Sequence, residues 1–189
     1  MNNKTKKGFT LIELLIVIGI LAVLAGAVIL VINPAEMLAQ ARDTKRISDL
    51  STIKSALSLY VSQVSPIDMT ATNAAGNCMV GVGADNAPFH AASSPFCVTN
   101  AVRTTTGSGW VDVNLSGITG GSPVSVLPAD PVNDATHFYA YKGNDTVDPK
   151  YTYKLATVLE STKYSPMMVN TADGGIAAGF YETGTNLAL

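Results

Sequence analysis

Residues 9–32 read FTLIELLIVIGILAVLAGAVILVI, and 20 of these 24 residues are apolar. The exceptions are Thr10, Glu13, Gly19 and Gly26, and no polar side chain occurs between Leu14 and Ile32. A helix that is apolar all round has no face to turn towards water. At about 1.5 Å per residue it extends about 36 Å, enough to cross a hydrocarbon core of about 30 Å. A cleavable secretory signal has an apolar stretch of roughly 7 to 15 residues, and this run exceeds it. Lys4, Lys6 and Lys7 precede the run, and the next basic residue is Arg42. By the positive-inside rule this predicts a cytoplasmic N-terminus, with everything beyond Ile32 outside.

Glu13 is the anomaly. A carboxylate at membrane depth costs at least a few kcal/mol, and such groups are usually functional. It sits within Lys6-Lys7-Gly8-Phe9-Thr10-Leu11-Ile12-Glu13-Leu14-Leu15-Ile16-Val17. This segment resembles the class III signal of type IV pilins and type II secretion pseudopilins. The resemblance implies cleavage after Gly8 by a prepilin peptidase and N-methylation of the new first residue, Phe9. It also assigns Glu13 to filament assembly, as counter-charge to the Phe9 amine of a neighbouring subunit. Further implied partners are copies of the chain in a helical homopolymer, and an inner-membrane assembly platform with its ATPase.

Beyond the run, Asn33-Pro34-Ala35-Glu36 places an N-cap residue, a proline at the first helical position and an early acid in sequence, which predicts a kink or restart. Ile47, Leu50, Ile53, Leu57, Tyr60 or Val61, and Val64 then recur at spacings of three and four, predicting an amphipathic helix that Pro66 stops. Arg42, Asp43, Lys45, Arg46, Asp49 and Lys54 fall between them and read as a solvated face, with Asp43 and Arg46 at i,i+3. The organisation expected is a leader (1–8), a transmembrane or filament-core helix (9–32), an amphipathic helical half (33–65) and a head (66–189).

The head holds five basic and ten acidic residues, which argues against electrostatic capture of nucleic acid. Residues 66–109 are rich in Ala, Ser, Thr, Asn and Gly and read as a variable loop region. Cys78 and Cys97 lie in it, and outside the membrane such a pair usually forms a disulfide, worth roughly 3 kcal/mol for a loop of this size. Residues 110–115 alternate as a strand with Val111, Val113 and Leu115 inward. Further strands are expected over 137–142 and 150–159, the latter with Tyr151, Tyr153 and Leu155 on one face. The tail from Asp173 reads as a loop. The fold class expected is α+β and type IV pilin-like: a long helix packed on a small antiparallel sheet.

Leu127-Pro128-Ala129-Asp130-Pro131 and the tyrosine-rich strands also resemble pseudopilin heads, more loosely, with Val132-Asn133 where those proteins carry Trp-Gly. Those heads bind calcium. Asp130, Asn133, Asp134, Asp145, Asp148 and Asp173 could supply oxygen ligands, and the same residues are favoured in turns. No other cofactor is expected. Gly-x-Ser-x-Gly, His-Glu-x-x-His and phosphate-loop motifs are absent from the sequence, so the chain does not read as an enzyme. The alternative to a filament subunit is a membrane-anchored, minor pilin-like binding protein for adhesion or DNA uptake.

Overall fold

A computed structural model describes residues 8–70, 77–78 and 98–189. Helix α1 spans Leu11–Ile32 and helix α2 spans Pro34–Gln63. Two compact units result, one ending at Leu38 and one comprising Ala39–Leu189.

In the first unit α1 is bare from Leu11 to Val28. The window Leu11–Val28 has a mean hydropathy of 2.8, and none of it is buried. Such a surface is stable only against lipid or other apolar helices.

The second unit is built on α2 and a sheet. The sheet order is β2 (Val98–Thr99), β1 (Asn77–Cys78), β3 (Tyr139–Asn144), β4 (Thr152–Thr157) and β5 (Tyr181–Gly184). Its body is the antiparallel trio β3–β4–β5, with β1 antiparallel to β3 and parallel to β2. Together with the helices this makes an α+β fold.

The alternation of a strand divides the sheet into two faces. Tyr139, Tyr141, Tyr153 and Leu155 pack with Leu50, Ile53, Leu57 and Tyr60 of α2, around Trp110, Leu127 and Met69. The rings bury area while their polar tips find acceptors. Tyr141 donates to Met69 O at 2.8 Å, Tyr153 to Lys54 O at 3.1 Å, and Trp110 Nε1 to Pro128 O at 3.0 Å. The opposite face holds a smaller cluster of Phe138, Ala140, Ala156 and Phe180. Gly143 lets a loop cross the end of β3: a Cβ there would lie 2.0 Å from Met69 O.

Three sequence expectations are corrected. Residues 110–115 form no strand. Val111, Val113 and Leu115 are buried as expected, but so are Trp110 and Asp112, and Leu115–Gly117 turns into a 3₁₀ helix. Among the described residues only an isolated bridge, Thr106 to Asn114, pairs this segment, so no ladder there enforces alternation. Tyr151 does not share a face with Tyr153: its φ is +56°, it is exposed, and β4 begins one residue later. Finally, the tail is not all loop, because β5 pairs along β4 from Thr157–Tyr181 to Lys154–Gly184.

Candidate processing and assembly site

Gly8 and Phe9 precede α1 in exposed, non-helical chain, where a peptide bond is accessible to a protease. Thr10 is the N-cap, with extended backbone. Its N–H donates to Glu13 Oε2 at 2.8 Å, its hydroxyl donates to the same oxygen at 2.7 Å, and Glu13 N–H donates back to Thr10 Oγ1 at 3.3 Å. This reciprocal box satisfies donors that a helix start leaves open. It also holds the Glu13 carboxylate at the N-terminal rim of α1, on the N–H of the residue after Phe9, whose own nitrogen cleavage after Gly8 would free.

At the other end of α1, Asn33 adopts a left-handed conformation, with φ 43° and ψ 76°. It closes α1, and its side-chain oxygen accepts from Glu36 N at 3.4 Å to open α2, whose first residue is Pro34. The two helices are therefore separate segments, divided by one residue with non-helical backbone.

The polar face of α2 departs most from expectation. Arg46 and Asp43 are fully buried, not solvated. Arg46 grips Asp130 with two donors, Nε to Oδ2 at 2.7 Å and Nη2 to Oδ1 at 3.0 Å. Its Nη1 reaches Asp43 Oδ1 at 2.8 Å, the expected i,i+3 pair, and Glu160 Oε1 at 2.6 Å. Arg42 holds both oxygens of Glu160 at 2.6 Å from the partly exposed side. Asp43 also accepts from the backbone of Glu160 and from the N–H and hydroxyl of Ser161. Alongside, Asp49 accepts from Lys45 at 2.6 Å and from the buried Tyr139 hydroxyl at 2.9 Å.

The reason lies in register. Ala39, Asp43, Arg46, Leu50, Ile53, Leu57 and Tyr60 are one stripe at spacings of three and four, and all seven are buried. Charged side chains occupy the first part of the stripe that faces the sheet, so they must be paired. Burial opposes the Arg46 charge, but Asp130, Glu160 and Asp43 raise its pKa above the ordinary value. The Arg42 guanidinium pulls the Glu160 carboxyl down to about 2, against the effect of its partial burial and with further help from Arg46.

A carboxyl whose pKa is lowered by folding stabilises the fold above its unfolded value and loses that contribution as pH falls through the folded one. Glu160 should therefore support the head at neutral pH and withdraw that support between its ordinary value of 4.5 and about 2. Thermal melts across this range should show the loss in the native chain. They should show a lower but flatter Tm profile in Glu160→Gln. Parallel profiles would refute the assignment.

The six oxygen donors considered for calcium are spread through turns and this network. Asp130 is the guanidinium partner, and it also accepts from the backbone of Val132 and Asn133. Asp134 accepts from Thr136 and His137 N–H, Asp145 from Met69 N–H and the Thr70 hydroxyl, and Asp173 from Gly175 and Glu182 N–H. Asp148 is exposed in the β3–β4 turn. Calcium takes about six to eight oxygens within one shell. Among the described residues no group of three or more His, Cys, Asp or Glu is gathered to hold a metal, so these six do not fit one cage. The backbone of Cys78 lies in β1, while Cys97 falls outside the described residues, so the expected disulfide does too.

Neither the curated proteins nor the solved structures gave a match to the chain. The profile of the prokaryotic N-terminal methylation motif matches residues 3–29, which hold Gly8, Phe9, Glu13 and most of α1. That motif marks structural subunits cut by a prepilin peptidase, and its apolar helix makes the uncut chain a membrane-anchored precursor. Residues 3–29 thus carry the signal of a type IV pilin or pseudopilin-type prepilin, which points to a structural subunit.

Proposed function

We propose that this chain is the subunit of a type IV pilus-like or secretion-pseudopilus filament. It is inserted with its N-terminus in the cytoplasm, cut after Gly8, methylated on Phe9 and polymerised through α1. The observation that carries this reading is the bare apolar helix, unburied from Leu11 to Val28, which begins with one locked carboxylate. A simple anchor needs the apolar surface and can use Glu13 only as a helix cap, whereas a bundle of cut subunits can also use its charge. There each Phe9 amine needs an anion, and each Glu13 needs a cation, away from water. Pairing between subunits would favour one axial stagger.

Bundling would replace lipid with neighbouring helices around α1 and leave the acidic head outside. The break at Asn33 gives the chain a joint where it leaves the apolar layer. Electron microscopy of material sheared from cells with and without this chain tests the reading. Filaments should be lost on deletion and restored by the intact chain. Filaments of unchanged abundance after deletion would contradict it.

A further inference from the structure

Two buried titratable groups take no part in anchoring, processing or the arginine network. Lys154 on β4 and Glu182 on β5 point to the sheet face opposite the tyrosine core. Both side chains are completely buried, and Lys154 Nζ lies 2.7 Å from Glu182 Oε1. Lys154 Nζ also donates to Leu187 O at 3.3 Å. The other carboxyl oxygen, Oε2, accepts the Ala177 N–H at 2.9 Å, a donor placed to polarise the group. The Gly175 backbone presses on the same carboxyl: a Cβ there would lie 1.8 Å from Oε2 and 2.4 Å from Cδ. Ala156, the register partner of Glu182, and Ala177 belong to the apolar cluster around Phe138 and Phe180.

Two features of the surroundings work against the ammonium. Lys142 stands directly across the β3–β4 pair from Lys154, cation against cation. Burial lowers the Lys154 pKa, opposed by Glu182 and Asp173. A dry, enclosed lysine and carboxyl in contact can exchange a proton and coexist as neutral amine and acid.

We propose that Lys154 and Glu182 join as an intramolecular amide that staples β5 to β4. The ammonium gives one proton to the carboxylate, and the neutral Nζ attacks Glu182 Cδ. The tetrahedral centre then breaks one C–O bond. The leaving oxygen departs as water, with the carboxyl proton and one proton from nitrogen. One N–C bond forms, one C–O bond breaks, nothing is oxidised or reduced, and no co-reactant is needed. Proximity in a fixed geometry supplies the driving arrangement. The staple would tie the segment before β5 to the sheet. Its use under tension rests on the filament reading, but the bond itself does not, so the two can fail separately.

Peptide mass spectrometry on the full chain, extracted in detergent, reduced and denatured, tests it. The expected product is a pair of peptides joined through Lys154 and Glu182, about 18 Da lighter than their sum. Lys154→Arg should return both peptides unlinked. The native chain decides the question even if that variant folds poorly. Unlinked native peptides of full mass would overturn the proposal and leave a buried ion pair. A loss of water mapped to other residues would also overturn it.

Discussion

Glu13→Ala is expected to remove filaments while leaving the chain inserted and cut. Its physical content is the charge on Phe9 after cleavage. An unpaired cation among apolar helices costs about 2.5–3.5 kcal/mol on insertion scales, so each subunit addition should weaken roughly a hundredfold. Glu13 has a second task, however: its carboxylate closes the capping box with Thr10. Glu13→Gln separates the two, because glutamine can fill the same position in such a box without a charge. The charge account predicts that Glu13→Gln fails to assemble almost as completely as Glu13→Ala. If Glu13→Gln built filaments at native yield, capping would be the role and the intersubunit pair would be excluded.

Arg46→Met should destabilise the head by about 3–5 kcal/mol, the range for removing one partner from a buried charge network. The cost comes from what stays behind. Asp43 and Asp130 are both fully buried, and Asp130 would keep only backbone donors. Glu160 would keep Arg42. For a unit of this size each kcal/mol moves Tm by about 2–4 °C, so a fall of roughly 10 °C is expected by circular dichroism in detergent. Arg46→Lys should recover only part of it. An ammonium cannot hold Asp130 with two parallel donors and reach Asp43 and Glu160 as well. A fall of under about 2 °C in Arg46→Met would mean that the network is solvated and the account of it wrong.

The same arginine marks where sequence reading succeeds and fails. The apolar run, the break at Asn33-Pro34 and the stripe Leu50, Ile53, Leu57, Tyr60 are legible because period and composition agree. Arg46 and Asp43 continue that stripe at the same spacing, but as charges they read as solvent-facing. What sequence could not supply was the partner set: Asp130 and Glu160 lie 84 and 114 residues away. Asp130 is legible as an oxygen donor in the Leu-Pro-Ala-Asp-Pro segment, and in the fold it pairs with the Arg46 guanidinium. Strand β5, Tyr181–Gly184, was obscured by the glycines around it and has only four residues. Its pairing with β4 is non-local and leaves little period to read. Conversely, 110–115 alternates but finds no strand partner among the described residues.

Processing after Gly8 and display at the cell surface in a polymer would leave a chemical mark on the N-terminus. The most direct measurement is the mass of the N-terminal peptide of this chain, recovered from sheared surface material. A peptide that begins at Phe9 and carries one methyl group on its amine is expected. A peptide that begins at Met1, or after Ala41 as an ordinary signal cleavage would give, contradicts it.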